Sequence, residues 1–152
     1  MAAVGKLLGL PVALAAVALI TGCGSASRHV SGPPNNASPQ RVVAAYVAAI
    51  NAHDVAKARH FLTPAHAAQV NSETDSWFTN VRSIKHLDTF RSSPDQSDAR
   101  RLHYRFGVVV GTRFVLKQYK VESMSNGPNV WTFFLVRNNA SQPWRIGDEG
   151  LG

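Results

Sequence analysis

The stretch Arg101-Leu102-His103-Tyr104-Arg105-Phe106-Gly107-Val108-Val109-Val110 decides the fold class. Leu102, Tyr104, Phe106, Val108 and Val110 fall on one side of an extended chain, and Arg101, His103, Arg105 and Gly107 fall on the other. Successive side chains of a strand point to opposite faces, so this alternation predicts a β-strand with one buried and one wet face. Downstream, residues 114–121 continue that strand or pair with it, residues 123–129 form a turn or loop, and residues 130–137, rich in aromatic and β-branched side chains, form another strand. Residues 138–142 then turn the chain into a hairpin with residues 143–148. Upstream, a strand is expected around residues 81–90.

Before that point the apolar period is helical. Ser38 is suited to cap a helix and Pro39 to open it, and Val43, Tyr46, Val47 and Ile50 make one stripe, which predicts a helix over residues 39–52. Asp54 caps a second helix through Val55, Ala58, Phe61 and Leu62. Thr63 and Pro64 end it and start a third, through Val70. Helices followed by an antiparallel meander define an α+β fold: N-terminal helices packed on a curved antiparallel sheet.

The chain has 152 residues, 45% hydrophobic and 16% charged, a composition that collapses rather than one that stays disordered. Its first residues carry a different message. Lys6 precedes an uncharged run from Leu7 to Ile20, interrupted by Pro11 and ending in Thr21-Gly22-Cys23. As a helix that run is about 21 Å long, short of the roughly 30 Å of a bilayer core, so it reads as a secretion signal and not as a membrane span. Leu19-Ile20-Thr21-Gly22-Cys23 resembles the bacterial lipobox. The resemblance implies that Cys23 is acylated and becomes the mature N-terminus, leaving the protein on the extracytoplasmic face of a cell membrane. The expected organisation is a signal peptide over residues 1–22, an acylated cysteine and flexible linker over 23–37, and one folded domain over 38–152.

A second resemblance covers nearly all of residues 39–152. It is carried by residues 42–54, Val-Val-Ala-Ala-Tyr-Val-Ala-Ala-Ile-Asn-Ala-His-Asp, by Ala58-Arg59-His60-Phe61-Leu62-Thr63-Pro64, and by an ending with Trp144-Arg145-Ile146. These segments are similar to the nuclear-transport-factor-2-like superfamily, the cone-shaped fold of ketosteroid isomerase and polyketide cyclases. The resemblance implies helices in the concave side of the sheet and a pocket at the wide end, for whose lining Tyr46, Trp77, Phe106 and Trp131 are the candidates. Buried aromatics also simply fill cores, so the same four residues are compatible with a filled cone.

Function is bounded mainly by what cannot be assembled. A single cysteine excludes an internal disulfide framework and any multi-cysteine metal site. His53, His60 and His66 lack the i, i+4 pairing that puts two imidazoles on one helix face, and no metal or cofactor is expected. Asp54, Asp75, Asp88 and Asp148 are the carboxylates to try as a general base; none matches the isomerase pattern, and Asp148 with its neighbour Glu149 lies near the chain end. The expectation is a non-catalytic domain that binds a small apolar ligand or an envelope protein; an isomerase-like or cyclase-like enzyme acting on a small apolar substrate is the alternative. The formal charge of +7 favours anionic surfaces, which for an exported protein are lipid headgroups and wall polymers rather than nucleic acid. Arg101, His103 and Arg105 are the candidate basic surface, or else the ordinary wet side of a sheet.

Overall fold

Local hydrogen bonds set the helix starts. Helix α1 (Pro39–Asn51) begins where Ser38 Oγ accepts from Arg41 N at 3.4 Å, and α2 (Val55–His60) where Asp54 Oδ1 accepts from Lys57 N at 3.0 Å. In α3 (Pro64–Gln69) Thr63 Oγ1 accepts from His66 N at 3.2 Å. The far end of α3 is closed by Arg59, whose guanidinium donates to Ala67 O at 2.6 Å and Val70 O at 2.8 Å. A short α4 (Ser76–Thr79) follows, capped by Asp75, whose Oδ1 accepts from Trp77 N at 2.8 Å. Four residues are too few to display a helical stripe, so the sequence predicts three helices before the first strand and the structure has four.

The computed structural model describes residues 36–70 and 73–151. The expected signal peptide, Cys23 and the linker as far as residue 35 lie outside the described residues. Among the described residues no helix is long and apolar enough to cross a membrane.

The sheet comprises β1 (Val81–Thr89), β2 (Ser93–Pro94), β3 (Phe106–Gln118), β4 (Gly127–Arg137) and β5 (Arg145–Gly150). It is antiparallel and open, in the order β1-β3-β4-β5, with β2 extending the β1 side of β3. Residues 114–118 therefore continue β3 rather than pair with it. On the inner face Val110, Phe114 and Leu116 of β3, Phe133 and Leu135 of β4 and Ile146 of β5 form one core with Val43, Tyr46, Val47 and Ile50 of α1. Asn51 closes the open edge of β1 with two side-chain bonds to the Ile84 backbone, at 2.6 and 2.8 Å. The segment joining α2 to α3 closes the edge of β5, since Ile146 N donates to Phe61 O and Thr63 N donates to Ile146 O, both at 2.8 Å. An unpaired sheet edge is a template for aggregation, and both devices blunt it.

The stretch that decides the fold class is itself only half strand. Helix α5 (Gln96–Arg101), capped by Asp95, occupies its start, and β3 begins at Phe106. Between them His103 takes a left-handed conformation (φ 62°), and Tyr104 N donates to Ala99 O at 2.8 Å. The apparent alternation over residues 102–105 belongs to a helix-terminating turn. Ala99 holds α5 against the outer face of the sheet at Gly107, where a side chain would collide with Asp95 O and Ala99 Cβ. In consequence Arg101, His103 and Arg105 do not share a strand face. Arg101 instead pairs with Asp98 at 2.7 Å and with Asp148 at 2.8 Å.

Candidate binding site

The side chain with the least expected position is Glu149. On β5, Ile146 pairs with Leu135 and Asp148 with Phe134, so Gly147 is an extra residue with no partner on β4. Strict alternation from Ile146 turns Asp148 inward and Glu149 out. The bulge shifts the phase by one, and Glu149, paired with Phe133, lies on the buried face.

Three helices converge on this carboxyl. From α1, the Tyr46 hydroxyl donates to Glu149 Oε1 at 3.1 Å, while its ring meets Phe133 edge to face at 5.9 Å between centroids. From α3, His66 Nε2 lies 3.9 Å from the same oxygen, an electrostatic contact beyond hydrogen-bond distance. Asp75, the cap of α4, completes the electrostatic surroundings. The Glu149 side chain is only 8% exposed. Burial pushes its carboxyl above the usual glutamate range, with a smaller push from the Asp75 charge, while His66 and the Tyr46 hydroxyl pull the other way. Tyr46 is held well above the usual phenol range by burial and then by the neighbouring Glu149.

Beside this cluster on the inner face stands Trp131, two residues before Phe133 on β4. Its backbone carbonyl accepts from buried Thr112 Oγ1 at 2.8 Å, and its ring meets that of Trp77 at 5.7 Å; Trp77 in turn meets Phe114 at 6.1 Å. Trp77, Trp131, Leu116 and Met124 bound a cleft of about 70 Å³ that opens to the surface. Gln118 Nε2 donates to Met124 O at 2.8 Å and so holds the β3–β4 connection at the cleft, which both residues line.

Buried polar atoms almost always have hydrogen-bond partners, and leaving one without costs about 1–3 kcal/mol. Here Trp131 Nε1, Glu149 Oε2 and His66 Nε2 are buried and have no hydrogen-bond partner among the described residues. A fourth such atom, Arg137 Nε, belongs to a guanidinium stacked 4.2 Å over the Trp144 ring.

Of the four aromatics named from the sequence, Trp77 and Trp131 meet at the cleft and Tyr46 sits deeper, against Glu149. Phe106 departs from that group: it opens β3, is 41% exposed and lies under the Arg105 guanidinium at 5.8 Å. Of the aspartates, Asp54 and Asp75 are helix caps, Asp88 pairs with Arg113 at 2.9 Å, and Asp148 pairs with Arg101. Sequence reasoning missed Glu149 and His66 as a pair. The one available signal was the glycine at 147, which admits a bulge where alternation alone selects Asp148. Among the described residues no group of three or more histidine, cysteine, aspartate or glutamate side chains is placed to hold a metal ion.

A search of curated proteins gives no match. The chain resembles the solution structure of a SEC-C motif-containing protein from Rhodopseudomonas palustris, with a TM-score of 0.54 over 78% of this chain and 82% of that one. At 10% sequence identity the likeness concerns the fold alone. Residues 40–150, most of the sequence and nearly all of the folded part, match one family, and the chain belongs to it: the domain of unknown function DUF4829.

Proposed function

We propose that this protein is an acylated lipoprotein, anchored through Cys23 on the extracytoplasmic face of a bacterial membrane, whose cone-shaped, nuclear-transport-factor-2-like domain binds the polar head of a small, otherwise apolar molecule. Helices on one face of an open antiparallel sheet and an aromatic cleft on that same face support the cone reading. The observation that carries the binding reading is the set of buried, unpartnered polar atoms, Trp131 Nε1, Glu149 Oε2 and His66 Nε2, on the inner face. The indole is a donor only, and a carboxyl is a second donor in its protonated form, which the burial of Glu149 favours. Two donors beside apolar rings suit a carbonyl or similar acceptor oxygen. The cleft volume of about 70 Å³ is below the roughly 300 Å³ of an enclosing ligand pocket, so it accepts a head group while the remainder of the molecule lies along Met124 and Trp77.

Titration calorimetry with a medium-chain methyl ketone tests this. Trp131→Phe keeps the aromatic surface and removes one donor, which weakens binding about fivefold to tenfold for a net hydrogen bond of about 1–1.5 kcal/mol. Equal affinity in the parent and in both Trp131→Phe and Glu149→Leu overturns the site. The catalytic alternative, an isomerase- or cyclase-like enzyme, draws on one observation: the Tyr46 hydroxyl holds Glu149 Oε1 at 3.1 Å and leaves Oε2 unbonded, so that as a carboxylate Glu149 would take an α-proton on Oε2 and return one to the enolate carbon. Exchange of the bound ketone's α-protons, abolished in Glu149→Gln, selects that reading.

A further inference from the structure

The outer face of the sheet combines exposed apolar groups with cations. Phe90, 43% exposed, hydrogen-bonds to Gly111 through its backbone and lays its ring over that residue, where a Cβ would stand 3.0 Å from Phe90 Cδ2. The Arg113 guanidinium covers the same ring at 5.8 Å. Across the ladder from Arg113 is Val130, 58% exposed. Lys85 is paired with Val115, and Lys117 follows two residues further on, so both share the face of Arg113, opposite buried Phe114 and Leu116. Arg91 adjoins Phe90 in sequence. Asp88 is the acid on this stretch, and Arg113 holds it at 2.9 Å.

The folded chain starts at the same end. Gln40, in the first turn of α1, reaches Phe90 O at 3.5 Å, and Ala37 is already part of the core. Residues 23–37, the fifteen that join Cys23 to Ser38, are rich in glycine, proline and small polar side chains. We infer that the face formed by Phe90, Val130, Lys85, Arg113 and Lys117 lies against an anionic lipid surface. The inference rests on the anchor at Cys23, which keeps this face within one linker length of the bilayer. Pairing this face with that of a second copy sets lysines and arginines against lysines and arginines, and like charges facing across an interface oppose association. Anionic headgroups complement them, and Phe90 and Val130 are placed to enter the interfacial layer.

The test uses the anchored full chain in phosphatidylglycerol–phosphatidylcholine vesicles, with an environment-sensitive fluorophore on a cysteine introduced either beside the face (Ser93→Cys) or on the β4–β5 turn (Ala140→Cys). A headgroup-bound nitroxide is expected to quench the first label and not the second. Quenching falls in pure phosphatidylcholine and in about 1 M salt, where the screening length is about 3 Å. The triple variant K85Q/R113Q/K117Q weakens docking about fivefold per charge removed. Equal quenching at both positions overturns the inference, as does a label at 93 that becomes buried without vesicles as protein concentration rises, the signature of self-association. Reaction of the fluorophore with Cys23 in the parent chain defeats the anchor and not the face. The face is then judged by co-sedimentation with the same vesicles, where loss in the triple variant supports it and unchanged binding overturns it.

Discussion

At Glu149, burial and function pull against each other. The carboxyl is raised by burial, so the folded chain holds its proton more tightly than the unfolded chain does. Such a group adds stability at pH values below the ordinary glutamate value of 4.5, and that stability is lost as pH rises through the raised value. The melting temperature of the parent is therefore expected to fall across that window more steeply than that of Glu149→Gln. His60, whose imidazole is held low by burial and then by Arg145 and Lys57, acts in the opposite sense: stability declines as pH falls below 6.5. It is common to both proteins and cancels in the difference. Parallel melting curves from pH 4 to 8 contradict the assignment of a buried, proton-holding Glu149. Burial favours the neutral form of the carboxyl beside Tyr46, because a neutral carboxyl costs far less to bury than a carboxylate.

Among the elements, the glycines determine where secondary structure meets. Gly107 lets α5 settle on β3, and a methyl group there runs into the Asp95 carbonyl and Ala99. Gly107→Ala is expected to lower stability by about 1–3 kcal/mol in urea unfolding, the usual cost of overpacking; a change below about 0.5 kcal/mol shows that α5 is not held there. The helix starts were legible in the sequence because each is a contact across three residues: Ser38 with Arg41, Asp54 with Lys57, Thr63 with His66. Residues 102–105 were not legible, because a turn that ends a helix also alternates apolar and polar side chains. Glu149 was hidden for a related reason. Its inward direction comes from one unpaired residue on β5, a property of register between two strands that no single segment displays. The aromatic pair Trp77 and Trp131 was legible as residues and illegible as a site, since α4 brings Trp77 to β4 through the Asp75 cap.

Taken whole, the molecule has two sides with different chemistry. The inner side carries the core, the aromatic cleft and the polar cluster around Glu149, and the outer side carries Phe90, Val130 and unburied cations. On the proposed docking, an anchored domain rests on lipid by its outer side while the cleft on its inner side stays open to the surroundings. No described helix is long and apolar enough to cross a bilayer, and the attachment proposed above is acylation of Cys23. A single acyl chain gives marginal binding and two give firm anchoring, so the effect of removing the thiol is large rather than graded. In a bacterial host that processes lipoproteins, Cys23→Ala is expected to move the protein out of the membrane pellet or to leave it at precursor mobility. The vesicle docking face cannot compensate, because attachment through a few surface charges is lost in high salt while acylation is not. A variant that remains in the pellet at normal mobility after a high-salt wash shows that the membrane is held by something other than this cysteine.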